Sequence, residues 1–386
     1  MMFLLLVILS YFHHDAKATS SPVSLRSSRT ETTDPVLDES PLVAQQFSKD
    51  PYQGFDKRAF VKSGKFKLID VQISKNNDVV MGNFCEFEFD QRDVDPSMAP
   101  RYSDYYGESI NCQEHAVAFP LHEVAQECRK FDKVNTGTIY NTNPSAFILH
   151  QPKSGSTLLS NMLTVARPDT FVVSEPAALR DILKCENCDR ELQIQALEDT
   201  MYFLGRSHIP LRDMYIKISS QYTIGLSLIR ETFPETKWIY LTRSPEIVLQ
   251  KLMDSKNDRR ICGGKRFKPT KAMKRYLSFV GKNAKSLIVD EKGCAADLAT
   301  IMSIVKKELR QKNPRGKIVD YNELLDLASI KKLFSFLQVS SSDWKKIEEQ
   351  RRKTANTGKG NQWRAESSMY ITFQVSSAIS EFGLNV

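Results

Sequence analysis

The sequence contains no hydrophobic run of the roughly 20 residues that a membrane-spanning helix needs. Its one candidate, an apolar stretch of about ten residues within residues 1–12, is too short to cross a bilayer comfortably. An Asn-x-Ser/Thr acceptor is also absent, because Asn143 is followed by Pro144, and this neither supports nor excludes secretion. No segment has the G-x-x-x-x-G-K-[ST] order of nucleotide hydrolases, which disfavours a standard ATPase or GTPase.

The first 54 residues are not typical of a packed domain. Ala16-Lys17-Ala18 follows the apolar stretch and has the pattern of a small-x-small cleavage site, so residues 1–18 are predicted to be a signal peptide, with a short signal-anchor as the alternative. Residues 19–54 are rich in Ser, Thr, Pro, Asp and Gln, and they predict a disordered stem or linker. We therefore expect a protein of the secretory pathway whose only membrane association is through the N-terminus.

Seven cysteines are present, at positions 85, 112, 128, 185, 188, 262 and 294. In a secretory compartment several of them should pair, and an odd number leaves at least one free or intermolecular. The Cys185-Glu-Asn-Cys188 segment could also suggest zinc, but no second Cys-x-x-Cys accompanies it, so we favour a local disulfide or spectator thiols.

Apolar periodicity divides the rest of the chain. Alternating patterns at 65–73 and 85–90 predict strands, and 121–131 predicts a helix, which gives a small α+β subdomain over residues 55–142. Residues 143–345 alternate buried strands with helices. This alternation predicts a mostly parallel central sheet between two helix layers, an α/β fold of three layers.

One strand–loop–helix unit has the residues of an anion site. The apolar run before His150 ends in Gln151-Pro152-Lys153-Ser154-Gly155-Ser156-Thr157, and a periodic apolar helix follows. A helix N-terminus presents unpaired N–H groups and a partial positive charge. Gly155 allows close approach of the backbone, Lys153 adds a mobile cation, and three hydroxyls add donors. The unit predicts binding of a phosphate-like group, with an ordinary strand–turn–helix corner as the alternative.

A second unit of the same kind follows about ninety residues later. The apolar strand 237–242 ends at Arg243, and Ser244-Pro245-Glu246 begins a helix. Pro245 suits the first helical position, Ser244 suits a cap, and Glu246 complements the helix dipole. Because a guanidinium can bind an anion through two parallel hydrogen bonds, Arg243 is a candidate phosphate ligand.

Together the two units resemble the 5′-phosphosulfate loop and the strand-Arg-x-Pro-helix unit of sulfotransferases, closer to the carbohydrate or Golgi type than to cytosolic members. The resemblance covers residues 145–340, including Ile318-Val-Asp-Tyr-Asn-Glu-Leu324 as the late strand with its Tyr-x-x-Leu ending. It implies the P-loop NTPase-like sulfotransferase fold and the donor 3′-phosphoadenosine 5′-phosphosulfate (PAPS), with no metal required. It also implies a location in the Golgi lumen or outside the cell.

The resemblance also assigns donor contacts. Lys153, Ser154, Gly155, Ser156 and Thr157 would bind the 5′-phosphosulfate, and Arg243 would bind the 3′-phosphate. Lys251 stands where the family usually has a second 3′-phosphate ligand, a Ser. Residues 346–386 form a basic C-terminal segment that loosely resembles the loop covering the nucleotide.

The catalytic residues expected from the resemblance are Lys153, on the leaving phosphate, and Glu175, as the base. The place of the cytosolic family's His reads Lys217-Ile218-Ser219, and the place of the helix Glu of some Golgi members is Asn161. The alternative for Glu175 is an N-cap or a partner of a helix dipole. His150 is expected only to close its strand, and Lys217 to be either a further sulfate contact or a strand-end cation.

The distribution of charge along the chain indicates which class of molecule the protein binds. Residues 251–285 contain twelve Lys or Arg and two Asp, a local charge of +10, whereas the whole chain carries +8. Such a segment attracts polyanions, or it is only a solvated loop. We expect a hydroxyl acceptor, most simply a carbohydrate, and no nucleic acid. The alternatives are a non-catalytic secreted polyanion-binding protein that retains the fold and an atypical P-loop kinase.

Overall fold

The structure is a computed structural model. It describes residues 56–384, except 75, 77–78, 88–95, 97–100, 108, 110–111, 113–114, 256–261, 263–267, 284–286, 288–289, 313, 340–342 and 353–370. The predicted leader and stem lie outside these residues, as does much of the basic C-terminal segment. Among the described residues, no helix combines the length and the hydropathy of a membrane span.

The described strands are β1 (Phe66–Ile73), β2 (Val80–Glu86), β3 (Val117–Pro120), β4 (Tyr140–Asn141), β5 (Pro144–His150), β6 (Thr170–Ser174), β7 (Arg206–Ser207), β8 (Asp213–Lys217), β9 (Lys237–Thr242) and β10 (Gly316–Asp320). The main helices are α1 (Lys57–Lys62), α2 (Tyr102–Tyr106), α3 (Leu121–Val134), α4 (Ser156–Ala166), α5 (Arg180–Lys184), α6 (Arg190–Gly205), α7 (Leu226–Thr232), α8 (Pro245–Asp254), α9 (Lys271–Phe279), α10 (Asp290–Leu309), α11 (Leu327–Leu337), α12 (Trp344–Arg352) and α13 (Phe373–Glu381). Short 3₁₀ turns cover Ala177–Leu179, Ser220–Gly225 and Tyr321–Leu324.

The central sheet contains five parallel strands in the order β10-β9-β5-β8-β6. The chain runs from β5 to the edge strand β6, returns to β8, crosses β5 to reach β9, and ends at β10. The strand order therefore reverses beside β5. In open α/β sheets, ligands bind outside the carboxyl ends of the strands at such a reversal.

Helices cover both faces of this sheet. Phe147 and Leu149 of β5 pack on one face with residues of α6, α7 and α10. Ala146 and Ile148 point the other way and pack with α4, α11 and α12. Because both faces are buried, the strands are almost entirely apolar. The prediction of a three-layer α/β fold with a parallel central sheet is confirmed.

The N-terminal part forms the expected α+β structure. Strands β1, β2 and β3 form an antiparallel sheet, and α3 packs beside it. The second strand begins at Val80, earlier than the 85–90 pattern indicated, because Val80 and Phe84 already face the core. Phe84 also packs edge-on against Phe203 of α6, with ring centroids 4.7 Å apart. The antiparallel sheet and the first face of the central sheet therefore share one core.

Two helix boundaries differ from those that the apolar pattern predicts, which are a helix from about Ala295 to Arg310 and another that begins at Pro176. The long helix α10 begins at Asp290 rather than near Ala295, and Asp290 and Glu291 in its first turn complement the helix dipole. The helix expected to begin at Pro176 is a 3₁₀ turn, Ala177–Leu179, followed by α5. Both differences lie at element ends, where the apolar pattern is weakest.

The cysteines form three pairs among the described residues, namely Cys85–Cys112, Cys185–Cys188 and Cys262–Cys294. The Cys-x-x-Cys segment is thus a local disulfide, as favoured from its sequence. Cys128 remains as the odd cysteine and is buried. Burial raises the pKa of its thiol to about 12, so Cys128 behaves as a small apolar core residue.

Candidate active site

The first anion unit forms a tight loop between β5 and α4. Gly155 is the N-cap of α4 and has a φ of 85°, a conformation that favours glycine. A Cβ atom at this position would lie 2.8 Å from Cδ2 of Tyr321. Gly155 is therefore required both by the backbone and by the ring packed against it. The first-turn amides of α4 lie at the C-terminal edge of the sheet, as the sequence predicted.

The hydroxyls of this loop make contacts within the protein. Ser154 is buried, and its Oγ donates to the backbone oxygen of Gln151 at 2.7 Å. Thr157 Oγ1 accepts from Lys217 Nζ at 3.1 Å. Ser156 is also buried at the first helical position. Ser154 thus stabilises the loop, and the predicted donor contacts of the three hydroxyls remain predictions.

The second anion unit lies directly beside the first, because β9 pairs with β5. Arg243 follows β9 and is only 7% exposed. Its Nη1 donates to the backbone oxygen of Lys153 at 3.1 Å, and its guanidinium carbon lies 4.0 Å from the centroid of the Tyr321 ring. The structure therefore brings together two predicted anion ligands that are far apart in sequence.

The start of α8 agrees with the sequence in part. Pro245 occupies the first helical position, as expected. Ser244 makes no side-chain cap, and its Oγ donates instead to Glu246 Oε2 at 2.6 Å. Ser244 therefore occupies the N-cap position, as expected, but its side chain makes no capping hydrogen bond to the backbone.

Two residues to which the sequence assigned no role in anion binding connect these units. Gln151 Oε1 accepts from Arg243 N at 2.9 Å and from Thr242 Oγ1 at 3.0 Å. Tyr321, at the start of the turn after β10, packs against both Gly155 and Arg243. The Tyr-x-x-Leu ending was visible in the sequence as a family feature, but Gln151 gave no signal.

The predicted base lies at the same edge of the sheet. Glu175 directly follows β6 in a left-handed conformation, with a φ of 56°. Its Oε1 is 2.7 Å from Lys217 Nζ and 3.7 Å from His150 Nε2. Lys217, at the end of β8, is 1% exposed. The carboxylate thus pairs with the Lys217 ammonium at the end of β8 and lies near the His150 ring at the end of β5.

Electrostatics keep this carboxylate ionised. Burial alone would raise the pKa of Glu175, but the Lys217 ammonium and the neighbouring His150 side chain outweigh it and hold the pKa well below its usual value. His150 closes its strand, as predicted, and its Nδ1 donates to the backbone oxygen of Gln151 at 2.9 Å. Lys217 lies at the end of β8, and its contact with a sulfate remains a prediction.

Two further predicted positions have less defined surroundings. Lys251 lies in the last turn of α8 and is half-buried, so its donor contact remains a prediction. Asn161 is buried in α4 at the position where some members of the resembled family have a Glu.

The basic segment 251–285 is described only in part. Within that part, Lys271 contacts Glu186 and Lys282 pairs with Glu381.

No group of three or more His, Cys, Asp or Glu side chains in the described part of the chain is arranged to hold a metal ion. The ionic groups of the site are instead Lys153, Glu175, Lys217 and Arg243, together with the first-turn amides of α4. This arrangement suits recognition of an anion and proton transfer at one edge of the sheet.

Comparisons with solved structures find sulfotransferase domains. One is the sulfotransferase domain of the olefin synthase of Synechococcus PCC 7002, with 15% identity, a TM-score of 0.34, and coverage of 64% of this chain and 96% of that chain. Another is the sulfotransferase domain of the curacin biosynthetic pathway, with 14% identity, a TM-score of 0.32, and coverage of 63% and 99%. No protein-family model matches the sequence, and no curated protein matches it.

Proposed function

We propose that this protein is a sulfotransferase that moves a sulfuryl group from PAPS to a hydroxyl of an acceptor. The observation that carries the proposal is the contact between the two anion units, in which Arg243 Nη1 donates to the backbone oxygen of Lys153. A donor with a 5′-phosphosulfate and a 3′-phosphate needs two cationic sites at a fixed separation. The α4 amides with Lys153 form one, and Arg243 forms the other.

The residues present fit such a donor. Gly155 allows the left-handed turn beside the Tyr321 ring, and this turn places the first-turn amides of α4, which can bind an anion, at the end of the sheet. The guanidinium of Arg243 is held by Tyr321 and by the loop backbone, so little freedom is lost when it binds a phosphate. Lys251 would add a second cation for the 3′-phosphate.

In the transfer, the acceptor oxygen forms a bond to sulfur and gives its proton to Glu175. The bond from sulfur to the bridging oxygen breaks, and that oxygen stays on the nucleotide phosphate with the electron pair. Lys153 and the amides of α4 stabilise the charge on this leaving phosphate. Lys and backbone N–H groups are sufficient for this role, so the proposal requires no metal ion.

Glu175 is ionised and therefore ready to accept a proton, but its low pKa makes it a weak base. Proton transfer to it is favourable only as the acceptor oxygen bonds to sulfur and becomes acidic. Lys217 bridges Glu175 and Thr157, so it lies between the base and the donor loop. We assign Lys217 the role of orienting the Glu175 carboxylate toward the acceptor.

We further propose a carbohydrate hydroxyl as acceptor and the Golgi lumen or the extracellular space as location. The leader-like N-terminus, the basic segment 251–285 and the three disulfides support this, because disulfides persist in oxidising compartments. The donor site itself does not select an acceptor, and a screen of acceptor classes with labelled PAPS would identify it.

Donor binding is the direct test. Calorimetry should show that 3′-phosphoadenosine 5′-phosphate binds the wild-type protein and that Lys153→Ala and Arg243→Ala each weaken this binding. Lys237→Ala, at the opposite end of β9, serves as a matched control that should bind normally. No binding by wild type, or unchanged binding by both site variants, would contradict the proposal.

A second candidate is a polyanion-binding protein that retains the fold without transfer. It is favoured by the tight Glu175–Lys217 pair, because a carboxylate held this way is a poor base. Glu175→Gln separates the two: loss of sulfate transfer with donor binding retained supports catalysis, whereas no transfer by the wild-type protein supports polyanion binding. An atypical P-loop kinase would instead require Mg²⁺-dependent ATP binding.

A further inference from the structure

Gln151 joins the two anion units through both its backbone and its side chain. It directly follows β5 and is 1% exposed. Its backbone N donates to Leu241 O at 2.9 Å, and its backbone oxygen accepts from Ser154 Oγ at 2.7 Å. Its side chain reaches the end of β9, where Oε1 accepts from Arg243 N and Thr242 Oγ1. One residue therefore contacts both the loop and the Arg243 segment.

The orientation of the Gln151 amide follows from these contacts. The backbone N–H of Arg243 can only donate, so the amide atom 2.9 Å from it must be the oxygen. The nitrogen then occupies the other position. Nε2 is buried there and, within the part of the chain that the structure describes, has no hydrogen-bond partner.

A buried amide nitrogen without a partner is unfavourable and uncommon. The contacts of the same residue indicate what would satisfy this nitrogen. Other atoms of Gln151 contact the anion loop through Ser154 on one side and the backbone of Arg243 on the other. An oxygen of an anionic ligand supplies the acceptor that the described residues do not.

We propose that Gln151 is a ligand-binding residue whose Nε2 donates to an oxygen of the bound anion while Oε1 holds the Arg243 segment in place. The identification of that anion as a nucleotide with phosphates at both ends rests on the proposed function. The inference concerns the amide nitrogen, and it applies equally to inorganic sulfate bound at the same edge.

Two variants of Gln151 test the roles of its amide oxygen and its amide nitrogen. In Gln151→Glu, an oxygen can still accept from Arg243 N, but an anionic oxygen replaces the donating nitrogen. Affinity for 3′-phosphoadenosine 5′-phosphate should therefore fall by about ten- to a hundred-fold, the usual effect of losing a hydrogen bond to a charged group. Gln151→Met removes both ends with little change in size and should also weaken binding.

A matched control addresses the cost of burying a charge. Gln193 is also buried, and its Nε2 donates to the backbone oxygens of Ile182 and Cys185, away from the anion units. Gln193→Glu should lower the melting temperature without changing nucleotide affinity of the folded protein. Affinity is measured by calorimetry, and folding by the melting temperature without ligand.

The outcomes distinguish this inference from the proposed function. If wild type binds the nucleotide and Gln151→Glu binds within twofold of it, the inference is wrong and the proposed function stands. If Gln151→Glu does not fold, Gln151→Met decides by the same criterion.

If wild type does not bind the nucleotide, the proposed function fails. The inference is then decided by inorganic sulfate, which should raise the melting temperature of wild type but not of Gln151→Met. If inorganic sulfate does not raise the melting temperature of wild type, both the inference and the proposed function are wrong.

Discussion

The guanidinium of Arg243 lies over the ring of Tyr321, 4.0 Å from its centroid, and the other contacts of the ring include Gly155. Tyr321 thus packs against both anion units. Its position follows from β10 lying beside β9, so that the turn after β10 reaches the loop after β5. This relationship leads directly to the first prediction.

Tyr321→Leu should weaken binding of 3′-phosphoadenosine 5′-phosphate by roughly three- to thirtyfold, because a buried cation–π contact contributes about 0.5–2 kcal/mol. Tyr321→Phe keeps the ring and should bind within about twofold of wild type. Calorimetry on both variants checks this. Equal losses in the two variants would indicate that the hydroxyl, and not the ring, is what matters.

Gly155→Ala should lower both stability and donor affinity. The alanine would have to adopt a φ of 85° and would place Cβ 2.8 Å from the Tyr321 ring. Gly137→Ala is the matched control, because its φ is 93° but nothing lies within 4 Å of its Cβ. The left-handed conformation alone costs about 1–2 kcal/mol, so Gly155→Ala should show a clearly larger drop in melting temperature than Gly137→Ala.

The Glu175–Lys217 pair should make stability depend on pH. Because folding lowers the pKa of Glu175 below its ordinary value of 4.5, the pair stabilises the protein above about pH 4.5, and this contribution is lost as pH falls through the folded pKa. Glu175→Gln should therefore be less stable than wild type at pH 7, and the gap should shrink below pH 4.5. Urea unfolding at several pH values measures the gap.

The control for this pH dependence is Glu231→Gln. Glu231 pairs with Arg190, and both side chains are about half exposed, so their interaction contributes little. This variant should differ only slightly from wild type at pH 7. A gap for Glu175→Gln that stays constant with pH would mean that the ionised carboxylate contributes no stability of its own.

Lys217→Met should shift the acid limb of the pH–rate profile to higher pH. Removing the ammonium leaves burial to act on Glu175, and burial raises the pKa of a carboxyl group. Sulfate-transfer rates measured across pH test this, with Lys237→Met as a control at the other end of the sheet. If turnover falls uniformly at every pH, Lys217 acts on the donor instead of on Glu175.

The sequence identified those parts of the site that lie within one strand–loop–helix unit. The loop around Gly155, the position of Arg243 after its strand and the placement of Glu175 all follow from local apolar patterns and helix-start residues. The Glu175–Lys217 pair and the contacts of Gln151 depend on which strands are neighbours in the sheet. That order is set by long-range packing, so residue spacing alone did not reveal these partners.

The cysteine pairs also differ in whether the sequence or only the fold reveals them. The Cys185–Cys188 pair was foreseen because its two residues are close along the chain. The pairs Cys85–Cys112 and Cys262–Cys294 span 27 and 32 residues, and only the fold brings them together. Half of the strand predicted at 85–90 lies outside the described residues. In the described part, β2 begins earlier, at Val80, where it pairs with Ile73 of β1.

The shared aromatic packing between the antiparallel sheet and α6 has a practical consequence for work with fragments. Phe60 and Phe84 pack on Phe203 and on each other, so a cut after residue 142 would strip an apolar layer from the helix that covers the central sheet. Residues 143–345 expressed alone should therefore aggregate, and residues 56–384 should unfold in one transition. The segment without a recognisable motif therefore shares the hydrophobic core of the sheet that carries the two anion units.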